Sequence, residues 1–114
     1  MTKSRYHQIQ LPLTIMEKED LEKIADAFAI NTGAMARKII IDNLNELDKS
    51  NAEGIFLTFP KDNEEPLSQE NMEHIQIYVM PDLYNRIKKY ADMAELTVIR
   101  FARYCVVPYI RFYK

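Results

Sequence analysis

At 114 residues with 47% hydrophobic content, the chain can bury one modest core, and its length favours one compact domain over two independent ones. A net charge of -2 argues against an indiscriminate nucleic-acid binder, and a lone cysteine, Cys105, excludes an internal disulfide framework and a zinc module. No apolar run approaches the roughly 20 residues of a bilayer span, and Met1-Thr2-Lys3-Ser4-Arg5 leads into alternating polar residues with no signal-like apolar core, so a cytoplasmic protein with no membrane contact is expected.

From His7 to Ile15, the apolar Ile9, Leu11, Leu13 and Ile15 alternate with Gln8, Gln10, Pro12 and Thr14, the period of two of a half-buried strand. Thr14 with Glu17 three positions on forms a capping box, so a helix follows at once. Its inward stripe is Leu21, Ile24, Ala25 and Phe28, and its end is expected near Ile30. Asn31 is a good N-cap for a second helix, whose buried face would carry Ala36, Ile39, Ile40, Asn43 or Leu44, and Leu47.

Residues 48–72 interrupt this pattern with two basic and six acidic side chains, a local balance of -4. Such a connector is longer than usual for a compact domain, and its apolar stretch Ile55-Phe56-Leu57-Thr58-Phe59 suits a short extra strand at 55–59.

Beyond the connector the first pattern returns at an offset of 66 residues without a gap. Ile9-Gln10-Leu11 falls on Ile75-Gln76-Ile77, Ala25-Asp26 on Ala91-Asp92, and Met35-Ala36-Arg37 on Phe101-Ala102-Arg103. Ile75, Ile77 and Val79 alternate with His74, Gln76 and Tyr78, and Pro81 suits a first helical position. Leu83, Ile87, Tyr90, Ala91 and Ala94 make the next stripe, which should end near Leu96. Thr97 matches Asn31 as an N-cap, and the last helix would bury Ala102, Cys105, Val106 and Tyr109 until Pro108 kinks or ends it. The organisation is one domain, 1–114, with repeats at 7–47 and 73–114 around the connector at 48–72. A unit of roughly 40 residues is too small for a stable core alone, so the two copies should complete each other.

In element order, lengths and hydrophobic spacing, both copies resemble the ribbon-helix-helix DNA-binding family, which includes the methionine, Arc and Mnt repressors and relaxosome accessory proteins of conjugative plasmids. The resemblance implies a mainly α fold with a two-stranded antiparallel β-ribbon, a tandem pseudo-dimer in one chain. The ribbon would enter the major groove of double-stranded DNA, for repression of transcription or for plasmid or phage DNA processing. It implies base-reading positions at Gln8, Gln10 and Pro12 in the first strand and at His74, Gln76 and Tyr78 in the second. Gln can pair with adenine through both amide atoms, and His and Tyr can meet base edges or a thymine methyl. The phosphate contacts it implies are the backbone of Asn31, Thr32 and Gly33, and of Thr97, Val98 and Ile99, at the starts of the second helices. The sequence departs from the family where Arg or Lys commonly stands in the strand, having Pro12 and Tyr78 there.

Arg37 and Arg103 share a repeat position. A helix-surface arginine pairs with a carboxylate or covers apolar surface with its stem, or else it joins the phosphate contacts. Cys105 reads as a small core residue and His7 and His74 as surface histidines, with no cluster at metal-ligand spacing. Nothing calls for a cofactor or for catalysis: there is no glycine-rich phosphate loop and no nucleophile with a supporting base. The tail sets Arg100, Arg103, Arg111 and Lys114 among Phe101, Tyr104, Tyr109, Phe112 and Tyr113. Packing is expected of Phe101 and Tyr109. With the acidic connector, this tail supports a competing expectation, an antitoxin-like or inhibitor module whose partner is a protein. The pairing of copies within one chain, or with those of a second chain in a larger assembly on DNA, is left open by the sequence.

Overall fold

The computed structural model describes residues 6–49 and 72–113. Strand β1 (His7–Thr14) leads into helices α1 (Ile15–Ala27) and α2 (Thr32–Lys49); strand β2 (Met72–Val79) leads into helices α3 (Pro81–Met93) and α4 (Val98–Tyr113). Among the described residues the fold is mainly helical with one two-stranded antiparallel sheet, and strand–helix–helix occurs twice. The strand expected at 55–59 lies outside the described residues.

The period-two pattern does what its chemistry requires. Ile9, Leu11 and Leu13 of β1 and Ile75, Ile77 and Val79 of β2 are buried, while Gln8, Gln10, His74, Gln76 and Tyr78 are exposed. The register places Gln10 opposite Gln76, flanked by Gln8 opposite Tyr78 and Pro12 opposite His74. Equivalent positions of the repeat therefore meet at the centre of the ribbon.

The helix starts follow the sequence. Thr14 caps α1: its hydroxyl accepts from the Glu17 N–H at 3.1 Å, and Glu17 Oε1 accepts from the Thr14 N–H at 2.9 Å. Pro81 opens α3. Asn31 Oδ1 accepts from the Ala34 N–H at 2.8 Å and Thr97 Oγ1 from the Arg100 N–H at 3.2 Å.

The helix ends differ from expectation. Helices α1 and α3 stop at Ala27 and Met93, short of Ile30 and Leu96, and the chain turns through left-handed residues, Ala29 (φ 60) and Glu95 (φ 61). In each turn two N–H groups fold back: Ala29 to Asp26 O (3.0 Å) and Ile30 to Ala25 O (3.1 Å), and likewise Glu95 to Asp92 O (3.0 Å) and Leu96 to Ala91 O (2.8 Å). This double closure is usually made by glycine, and its absence here hid the stops from a sequence reading. It leaves Phe28, expected in the buried stripe, 40% exposed at the cap. Because a side chain costs energy at positive φ, Ala29→Gly should raise the unfolding free energy by about 0.5–1 kcal/mol. A urea midpoint at or below that of the wild type would refute this.

The core is shared between the two halves. Helix α2 packs on β2 and α4 on β1, and α2 and α4 pack on each other. Met35, Ala36, Ile39, Ile40, Leu44 and Leu47 of α2 meet Phe101, Ala102, Cys105, Val106, Val107 and Ile110 of α4 in one buried cluster. Asn43 sits half-buried at the contact, where its amide donates to Ile39 O at 3.0 Å and Cys105 O at 3.4 Å. Burial pushes the Cys105 thiol up to about 12, so it stays protonated as a core residue. Pro108 does not end α4, which continues to Tyr113. The proline is exposed, while Cys105, Val106 and Ile110 anchor the helix on both sides of it. At the far end, Asp48 accepts from Arg86 (2.8 Å) and from the Tyr90 hydroxyl, tying α2 to α3. Among the described residues no helix is long and apolar enough to cross a membrane.

Candidate nucleic-acid interface

The open face of the ribbon gathers most of the residues expected to read bases. Gln10 and Gln76 lie opposite each other and exposed at its centre. On one side Gln8 Nε2 donates to the Tyr78 hydroxyl at 3.3 Å, which donates to Gln76 Oε1 at 2.7 Å. Among the described residues Gln10 has no such side-chain bond. His74 is exposed across from Pro12.

Pro12 is a correction. The resemblance implies a place for it on the base-reading face, yet it is buried, and a covered ring cannot reach a base edge. Its carbonyl accepts from Arg103 Nη1 at 3.0 Å, and Arg103 is itself 5% exposed. Arg103 is therefore a second correction. Its guanidinium binds Glu17 Oε1 at 2.8 Å and Oε2 at 3.3 Å, which removes it from any phosphate role.

Arg37 occupies the same repeat position and donates to the equivalent strand carbonyl, Tyr78 O, at 2.9 Å. Both arginines thus hold the ribbon backbone from the following helix of the other half. Their fates differ because of one residue in the repeat. The helix start beside Arg103 carries Glu17, whereas the corresponding residue of α3 is the partly buried Leu83. A carboxylate draws Arg103 into a buried ion pair; leucine offers Arg37 no such partner, and its side chain remains half-exposed.

The starts of α2 and α4 flank the ribbon on opposite sides. A cleft of about 460 Å³ brings Asn31, Thr32, Gly33 and Arg37 beside Gln76 and Tyr78. Another of about 290 Å³ brings Thr97, Val98 and Ile99 beside Gln8 and Gln10. Each strand therefore faces the helix start from the other half. In the first turn of a helix the leading N–H groups have no carbonyl within the helix, so the Thr32–Gly33 and Val98–Ile99 amides suit an anion.

Compared with protein-family models, curated proteins and solved structures, the chain matches none.

The two clefts are unequal in detail. A Cβ on Gly33 would stand 3.0 Å from the Gln76 carbonyl oxygen, so the absence of a side chain lets α2 begin close against β2. At the equivalent position of α4 stands Ile99, 41% exposed beside the ribbon. The missing side chain at Gly33 was visible in the sequence; its need was not, because the strand it approaches belongs to the other half. The Arg103–Glu17 pair was hidden for the same reason, with Glu17 already accounted for as a capping residue.

Proposed function

We propose that this chain is a tandem ribbon-helix-helix pseudo-dimer that binds double-stranded DNA sequence-specifically, its ribbon lying in the major groove. It acts in the cytoplasm as a transcriptional repressor or as an accessory to plasmid or phage DNA processing. The observation that carries this reading is the exposed Gln10–Gln76 pair at the centre of a two-stranded ribbon, with a helix start in a cleft on either side. A major groove about 12 Å wide admits a two-stranded ribbon, and a glutamine amide matches the N6 and N7 edge of adenine. Thr32, Gly33, Val98 and Ile99 would hold flanking phosphates through their N–H groups, with Arg37 beside the first pair.

The test is selection of bound sequences from random duplex DNA, followed by a salt titration of the best site. An enriched motif is expected, with affinity falling steeply as salt rises, because phosphate contacts release counterions. No enrichment at low salt would reject the reading. Sedimentation at the binding concentration is expected to give one chain per ribbon; a stable two-chain species without DNA would favour a larger assembly.

A second reading, a module that binds a protein, draws on the tail. Phe112 is 92% and Tyr113 48% exposed, and Tyr109 stacks on Tyr113 with centroids 5.8 Å apart. Phe112→Ser separates the two, since it should leave DNA selection unchanged and would matter only to a protein partner.

A further inference from the structure

The polar face of the ribbon is symmetric in position but not in bonding. Around the central Gln10–Gln76 pair, the flanking pairs Gln8–Tyr78 and Pro12–His74 are equivalent steps of the repeat. Only one of them forms a relay, from Gln8 Nε2 to the Tyr78 hydroxyl (3.3 Å) and from that hydroxyl to Gln76 Oε1 (2.7 Å). Tyr78 is held at both ends. Arg37 fixes its carbonyl at 2.9 Å, and the Tyr6 ring meets its ring edge-on, with centroids 6.5 Å apart.

A hydroxyl has one proton to give, so the relay engages one lone pair of Gln76 Oε1 and one Nε2 hydrogen of Gln8, and fixes which amide atom of each is left wholly unengaged among the described residues. Gln76 accepts through Oε1 and keeps Nε2, a donor, uncommitted among the described residues. Gln8 donates through Nε2 and keeps Oε1, an acceptor. Gln10 keeps both. We infer that Tyr78 is a positioning residue for base reading, presetting Gln76 as a donor and Gln8 as an acceptor while Gln10 takes adenine with both amide atoms. This rests on the DNA-binding reading above and goes beyond it, since it assigns different chemistry to the two glutamines at equivalent positions. Gln76 then selects a base that shows an acceptor without needing an amino group beside it, guanine O6 or N7 or thymine O4, and Gln8 selects the amino group of adenine or cytosine. The bound site is non-palindromic, and the chain sits on it in one orientation.

The experiment compares wild type and Tyr78→Phe in selection from random duplex DNA, with thermal melting and salt titration of each. Phenylalanine keeps the ring and removes the relay. The expected result is a wild-type motif with different bases at the positions of Gln10 and Gln76, and a variant motif in which adenine appears at both. The variant should bind the wild-type site about five- to tenfold more weakly, as for a lost base contact, with melting and salt slope unchanged. The same motif for both proteins would overturn the inference and leave DNA binding standing. Weakening by one factor on every sequence would also overturn it, because that is what a merely structural tyrosine would give. No motif from the wild type would overturn the DNA reading and this inference together.

Discussion

Replacing both Gln10 and Gln76 by alanine is expected to weaken sequence-specific binding sharply while leaving the fold intact. A good two-atom contact such as that of Gln10 contributes about 1–3 kcal/mol of discrimination and the single Nε2 contact of Gln76 less, so the double variant should fall toward the affinity of non-specific binding. Both side chains are exposed, and surface changes of this kind usually alter stability by about 0.5 kcal/mol or less. The measurement is affinity for the selected site against a scrambled duplex, with a denaturant melt as control. Equal affinity of wild type and double variant for the selected site would remove these residues from the reading face.

The largest expected effect on stability lies at Glu17. Its side chain is 13% exposed and that of Arg103 6%, with 2.8 Å between them. Removing one partner of such a pair leaves the other charge buried with its counter-charge gone, so Glu17→Ala should destabilise by about 3 kcal/mol. It also removes half of the capping box at α1. Burial by itself pushes the Glu17 carboxyl up, but the hydrogen bonds from Arg103 and the Thr14 N–H, with the charges of Arg103 and Arg111, outweigh it and hold the group below its ordinary 4.5. A depressed carboxyl contributes stability above its unfolded value and loses it as pH falls through the folded one. Wild-type stability should therefore decline on acidification below about pH 4.5, and Glu17→Gln should start lower and decline less. Parallel pH profiles for the two proteins would contradict this assignment.

The alternation in Ile9, Leu11 and Leu13, the Thr14–Glu17 box and the Asn31 and Thr97 caps are local signals, and the fold follows them. Most of what escaped the sequence forms only when the halves meet. Arg103 looks like a surface arginine until β1 and α1 bring Glu17 and the Pro12 carbonyl to it. Pro12 reads as an outward strand residue because alternation alone cannot say what covers it. The left-handed closures at Ala29 and Glu95 lack glycine, so the helices read about one turn too long. Of the ribbon's open face, the glutamine positions were legible from the repeat; the Tyr78 relay was not, because it depends on the register between strands far apart in the chain.

The exchange of strand and helix between halves also bears on how the chain matures as it is made. The strand opposite β1 begins only at Met72, and the helix that covers β1 only at Val98. Synthesis runs at about 5–20 residues per second, so Ile9, Leu11 and Leu13 wait several seconds for partners that do not yet exist. Pairing across so many residues carries a loop-closure cost that slows formation of the ribbon. The nascent first half must therefore tolerate an uncovered apolar strand, a period of exposure to chaperones and to other copies of itself that a protein with locally paired strands would not have.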